Sequence, residues 1–456
     1  MNAGIAAARI ATALVPFRGL RRRLRKNLMD WARDARLARL APAVAARYAE
    51  YSAACRRKLA AGIPLKVAFL VCDASMFSGE SVFLEMRRDP RFRCEILVAP
   101  RTSRGETFMR ATMEKTLATL AARYGSAVRP ACSPDGKEAE PPDADIVFST
   151  ILYEDQSLPA FTVENLSRRS LVAILYYGYG GIFKSNGTKT PHLPNVALCW
   201  RFFASNRATA ELFVNANPSL AGRILVPGYC KMDRLAEAIA SAPPRSRKRI
   251  LVCPHHTIDR PGDGSLAIST FLANADALLA LPAEFPEADF TFRPHPLLFP
   301  KLAASGRWGA RRAEAWLARM AAHPNVEMQE GGDYFATFAA SDALLHDCGS
   351  FLAEYHYTGR PQCFMLESDA LAEAQFLPFG RRLLEHSYVA KTRDEIREFV
   401  RRVALGGEDP MKEAREAFAR AEVRVNHPRA AAETVEETLA ALRCDDAKEN
   451  GGMETV

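Results

Sequence analysis

A chain of 456 residues is too long for one compact core and suits two domains plus an extension. It is 48% hydrophobic and 25% charged, which excludes a disordered polymer, and no apolar run reaches the ~20 residues of a spanning helix. Ten cysteines stand singly with no C-x-x-C pair, so they read as reduced thiols in a cytosolic setting, without structural zinc. The net charge of +8 is unevenly placed: residues 1–60 hold fourteen Lys/Arg against three acids, so the rest of the chain is slightly acidic.

Residues 1–62 read as a basic helical extension. Leu20, Leu24, Leu28 and Trp31 fall on one helical stripe, surrounded by Arg18, Arg21, Arg22, Arg25 and Lys26. That pattern suits an anionic membrane surface. The stretch Ala3–Phe17 is too short, and holds Arg9, so it does not read as a signal peptide. Nucleic acid is not expected as a partner, because the rest of the chain shows no surface interleaving bases and aromatics.

Residues 63–237 read as an α/β domain. Strands are expected at Leu65–Val71, Cys94–Ala99, Asp145–Ser149, Leu171–Leu175 and Arg223–Val226. Helices are expected at 79–87, 103–124 and 202–216, and a polar loop at Pro134–Pro142. The strand Leu171–Leu175 runs into Tyr176-Tyr177-Gly178-Tyr179-Gly180-Gly181-Ile182-Phe183-Lys184, where glycines permit close approach and Tyr and Lys supply donors. Residues 238–249 (AIASAPPRSRKR) read as a linker.

Residues 250–405 read as a second α/β domain. Its strand Ile250–Cys253 ends in Pro254-His255-His256-Thr257. The strand Asp289–Phe292 ends in Arg293-Pro294-His295-Pro296, a rigid turn holding a guanidinium and an imidazole. Helices are expected at 266–281, 310–321 and 333–340, with a strand at Asn325–Met328. The strand Ala343–Leu345 leads through His346-Asp347-Cys348-Gly349 to a helix opened by Ser350, closed by Gly359-Arg360-Pro361 before the strand Gln362–Leu366. Glu354 stands one turn after Ser350. A helix at 393–404 ends the domain, and a helix at 411–442, in a C-terminal helical part spanning 406–445, precedes a polar, loose tail, 446–456. Adjacent His255 and His256 do not make the i, i+4 pair of a helical metal site, and no metal or other cofactor is expected.

The stretch 341–361 resembles the "TDYSS…D…RP" segment of the CDP-glycerol glycerophosphotransferase family, the polymerases and primases of teichoic acid and related capsule polymers. Asp347, Gly349-Ser350, Glu354 and Arg360-Pro361 take its positions, with Gly349 in place of the first Ser. Arg293-Pro294-His295-Pro296 resembles the family's "R-x-H-P", and Gly228-Tyr229-Cys230-Lys231-Met232-Asp233 its "GYPRND". The "WHGTPLK" segment resembles Tyr177 to Lys184, where Tyr177 takes the place of the His read as catalytic base. The resemblance covers roughly residues 65–405. It implies two Rossmann-like domains with a cleft between them, the glycosyltransferase-B type, with the N-terminal domain for the acceptor.

It further implies transfer of a polyol-phosphate from a CDP-linked donor to a surface polymer or lipid-linked acceptor, at the inner face of the membrane. Arg293, His295, Gly349, Ser350 and Glu354 are the expected donor ligands. Tyr179 and Lys184 are the expected acceptor ligands. His255, His256, Tyr177 and Asp347 are the expected acid/base candidates. A nucleotide-sugar glycosyltransferase of the same fold and a non-catalytic scaffold relative are the alternatives.

Overall fold

A computed structural model describes residues 17–133, 138–187, 189–259 and 266–450. Most of the Ala3–Phe17 stretch, positions 134–137 of the expected loop and residues 451–456 of the tail lie outside the described residues.

Two sheets organise the chain. The first contains β1 (Leu65–Val71), β2 (Phe92–Val98), β3 (Val128–Pro130), β4 (Ile146–Ser149), β5 (Leu171–Leu175), β6 (Arg201–Phe203) and β7 (Ile224–Leu225), in the order β3-β2-β1-β4-β5-β6-β7. The second contains β8 (Arg249–Cys253), β9 (Asp289–Phe292), β10 (Val326–Met328), β11 (Ala343–His346), β12 (Gln362–Met365) and β13 (Tyr388–Ala390), in the order β10-β9-β8-β11-β12-β13. Every pairing is parallel. The cause lies in the strands themselves: runs such as LVAIL of β5 are buried along their whole length, so both sheet faces need helical cover. These are two Rossmann-like domains, and in each the strand order reverses beside the first strand.

The expected helix over 202–216 is corrected. Arg201–Phe203 pairs with β5 as a strand, and the helix starts at Arg207, where the Asn206 side chain accepts the Thr209 N–H. The single helix expected over 411–442 is broken. Lys412–Phe418 and a wider turn at Ala419–Val423 precede an irregular stretch containing Pro428, which has no N–H to donate.

Four helices frame the cleft and its surroundings: α1 (Arg18–Ala60), α2 (Phe271–Glu284), α3 (Gly349–Glu354) and α4 (Ala430–Asn450). The second half of α1 belongs to the first domain's core: Val44, Tyr48 and Cys55 are buried, and the Tyr48 hydroxyl donates to the Leu198 carbonyl. Helix α4 returns from the second domain to the first and buries Ala430, Ala431, Val435, Leu439 and Leu442 in that same core. It runs to Asn450, so the expected loose tail begins later than residue 446.

Candidate functional site

Crevices outside the carboxyl ends of parallel strands, where strand order reverses, are where such sheets take ligands. In the second sheet that place lies between β8 and β11. His255 and His256 follow β8, Arg293 and His295 follow the neighbouring β9, and Asp347 to Ser350 follow β11.

Asp347 holds this corner together. Its buried carboxylate accepts the His255 N–H at 2.5 Å, and the Thr270 N–H and hydroxyl at 2.6 and 3.0 Å. It thereby ties β11 to the turn after β8 and to the start of α2. Burial pushes its pKa up to about 6, against the pull of those donors. With both oxygens occupied, it orients the turn, one of the two parts open to it from the sequence.

The three histidines converge. Ring centroids lie 4.4 Å apart for His255 and His256, 4.1 Å for His256 and His295, and 5.2 Å for His255 and His295. One ring nitrogen from each lies within 4.8 Å of the others, close enough to consider a metal ion. The hydrogen bonding favours an anion instead. His295 Nδ1 accepts the Leu297 N–H at 3.1 Å, so the neutral ring carries its proton on Nε2 and donates from there. A metal at Nε2 would require the proton on Nδ1, facing that N–H. Burial first, then His256 and His295, push the pKa of His255 down to about 2, so it is neutral at physiological pH. Its Nδ1 lies 3.0 Å from the Thr257 hydroxyl. The Arg293 backbone N–H donates to Val252 and that of His295 to Pro254, which locks the two strand ends together. Buried Arg293 also donates from its side chain to the Gly332 carbonyl at 2.7 Å.

Helix α3 differs from expectation at its start. Cys348 is its N-cap, Gly349 its first residue, and Ser350 is exposed and makes no capping bond; its hydroxyl lies 3.6 Å from the Cys348 thiol. Glu354 is buried and accepts the Tyr334 hydroxyl at 2.6 Å, so it is corrected from a ribose ligand to an internal brace. Burial raises its pKa.

The Gly-rich segment after β5 is the dock between the domains. The Ile182 carbonyl accepts the Leu377 N–H at 2.9 Å, and the Gly181 carbonyl that of Gly380 at 3.2 Å. A Cβ on Gly380 would lie 2.3 Å from the Ile182 oxygen, so only glycine allows this approach. Phe183 packs on Phe376 with ring centroids 4.7 Å apart, and Lys184 donates to the Glu373 carbonyl at 2.6 Å. Tyr179 is buried, its hydroxyl 2.6 Å from that of Tyr357 and donating to the Val423 carbonyl. Tyr179 and Lys184 are therefore corrected from acceptor ligands to interdomain contacts. Burial raises the Tyr177 phenol well above its usual range, which removes it as a base.

Sequence reasoning missed Lys231. Its ammonium is buried at the domain junction, 4.8 Å above the rings of both Tyr177 and Tyr334, and donates to the Ser75 carbonyl at 3.2 Å. The available signal was a basic residue at the Arg position of the "GYPRND"-like element.

No family model and no curated protein sequence matches the chain. Solved structures do. A putative UDP-N-acetylglucosamine 2-epimerase from Listeria monocytogenes superposes with a TM-score of 0.52 at 11% identity, covering 84% of this chain and 97% of its own. The UDP-GlcNAc 2-epimerase from Neisseria meningitidis bound to UDP-GlcNAc gives 0.51 at 14%, covering 82% and 100%. The wall teichoic acid polymerase TagF, soaked with CDPG, gives 0.53 at 13%, covering 91% and 98%. At these identities the likeness is one of fold: the chain has the two-domain glycosyltransferase-B architecture, with a helical N-terminal extension.

Proposed function

We propose that the protein transfers a polyol-phosphate group, glycerol-phosphate in type, from a CDP-linked donor to a hydroxyl of a surface polymer or its lipid-linked precursor. One observation carries the reading: His255, His256 and His295 converge at the carboxyl ends of β8 and β9, with Arg293 directly after β9, beside the strand-order reversal. That set offers imidazole donors and one fixed guanidinium to a diphosphate. The fold likeness to TagF agrees with it.

In the proposed reaction the acceptor oxygen attacks the donor's β-phosphorus. A new P–O bond forms, the bond from that phosphorus to the bridging oxygen breaks, and CMP leaves with the electron pair. Arg293 and His295 neutralise charge on the diphosphate, with Ser350 and the Gly349 N–H at the mouth of the neighbouring turn. The acceptor proton passes to the His255–His256 pair. His255 is unprotonated beforehand, chiefly through burial, and the negative charge of a bound diphosphate favours its protonated form.

Calorimetric titration with CDP and CMP tests the donor site. Ser350→Ala is expected to weaken CDP binding by ~1–2 kcal/mol and Arg293→Ala by more, with smaller effects on CMP. Because Ser350 is exposed and caps nothing, its variant should melt like the parent. Unchanged CDP affinity in both variants would remove the diphosphate site. In turnover of CDP-glycerol, alanine at His255 or His256 should cost ~100-fold or more. Turnover of a UDP-linked sugar instead would make the enzyme a glycosyltransferase. Tight diphosphate binding without turnover of any donor would make it a binding relative.

A further inference from the structure

Helix α1 has two halves with different surroundings. From Arg36 onward it is fastened to the first domain. Arg36 pairs with Glu164, Arg47 donates to the Ser167 carbonyl, Tyr51 to that of Arg168, and Lys58 pairs with Asp145. Asp145 directly precedes β4, whereas Glu154, also beside Arg36, follows it. Among the described residues, the first half of the helix carries no such fastening to the first domain's strands.

That first half, residues 17–34, is about 27 Å long at the usual helical rise. Its large apolar side chains lie in the open: Phe17 and Trp31 are each 71% exposed, and Leu20, Leu24 and Leu28 are 49%, 38% and 39% exposed. At about 100° per residue these five share one stripe. The stripe that packs on the domain, through Val44, Tyr48 and Cys55, is rotated from it by roughly 140° on the same count. The exposed stripe is thus not an overhang of the core-facing one. The same segment carries seven basic and two acidic residues, and both acids, Asp30 and Asp34, pair with Arg33. Among the described residues no helix is long and apolar enough to cross a membrane.

We infer that residues 17–34 form a rigid arm that lies flat on an anionic lipid surface, with Phe17, Leu20, Leu24, Leu28 and Trp31 in the acyl boundary and the basic side chains at the headgroups. A basic helix with one narrow apolar stripe ending in Trp has the chemistry of that boundary. The inference stands on the arm alone and does not depend on the donor or the reaction.

The test uses the full chain in sedimentation with phosphatidylcholine vesicles, with and without phosphatidylglycerol, at low and high salt. Binding is expected to be at least about tenfold stronger on the anionic vesicles and to weaken with salt. The emission of Trp31, isolated by difference from Trp31→Phe, should shift to the blue on binding. The double variant Leu24→Glu with Trp31→Glu should lose binding at an unchanged melting temperature, since both side chains are exposed. Arg23→Glu with Lys26→Glu should lose it at low salt. Equal partition onto neutral and anionic vesicles, or full binding by the Leu24/Trp31 variant, overturns the inference. So does a dimer that this variant dissociates without changing vesicle binding, or a preference for duplex nucleic acid that vesicles do not displace.

Discussion

Gly349 stands where the resembling segment has the first serine of a pair, and the reason is a ring from the other domain. A Cβ there would lie 2.1 Å from Cε2 of Phe183, a contact that real Cβ atoms do not make. Phe183 is held in turn against Phe376, so it does not yield freely. Gly349→Ser is expected to destabilise the protein by ~1–3 kcal/mol, the usual range for overpacking. Adding Phe183→Ala should recover part of that loss. Urea denaturation of both single variants and the double variant checks this, and strictly additive losses would show that the ring is not the obstacle. At this scale the sequence told which residues carry chemistry better than which way they face. His255, His256 and His295 were legible as candidates because each follows a strand end. Asp347 was legible as an acid that could orient its turn, and Glu354 as an acid but not as a brace. Their partners come from elsewhere in the chain: Thr270 is 77 positions from Asp347, and Tyr334 is 20 from Glu354. Tyr177, placed opposite the family's base, is partly buried, and desolvation keeps its phenol protonated.

Among the elements, α1 shows how one continuous helix serves two purposes. Pro42 lies near the join and leaves the Ala38 carbonyl without its usual helical partner. The basic stripe was legible because its period is helical. The boundary between arm and body was not, since alanine-rich residues 35–46 fit either setting. Truncation separates the two halves. Removing residues 1–34 should leave the melting temperature within a few degrees of the parent. Removing residues 1–60 should lower it sharply or yield insoluble protein. That deletion strips Val44, Tyr48 and Cys55 from the core, and burying each such side chain contributes about 1.5–3 kcal/mol. Equal melting of both truncations would mean that the second half of α1 does not stabilise the domain. The long strands were readable as unbroken apolar runs bounded by turn residues. The strands β3, β6 and β13 were missed because each is only three residues long. Such short strands are specified by the sheet they join, not by their own composition.

For the molecule as a whole, two domains and a cleft were legible, because two separate sets of buried strands flank a Pro- and Arg-rich joint. The return of α4 to the first domain was not legible, since nothing local to residues 430–450 says which core they enter. The way buried histidines are distributed makes acid the natural probe of the assembled structure. His346 and His356 are fully enclosed, and burial pushes the pKa of each down to about 3, from 6.5 in the unfolded chain. His346 Nδ1 lies 3.1 Å from the Cys348 carbonyl and 3.2 Å from the Cys348 backbone nitrogen. Between those pKa values the unfolded chain binds protons that the native protein does not, so native stability falls as pH drops below about 6.5. The two rings together give a slope of up to about 2.7 kcal/mol per pH unit. His255 adds to it in the same direction. Asp347 works the other way, because its native pKa of about 6 lies above its unfolded value and it gains a proton on folding below pH 6. Burial also raises the carboxyls of Glu354 and Glu154, which oppose the histidines in the same way as Asp347. The urea midpoint should therefore be nearly flat from pH 8 to pH 7 and fall from pH 6 to pH 5 by less than the histidines alone would give. In His356→Leu, whatever its absolute stability, that descent should be shallower, because one proton has been removed from the difference between the two states. A descent equally steep in the variant would mean that His356 is protonated in the native protein and that water reaches it.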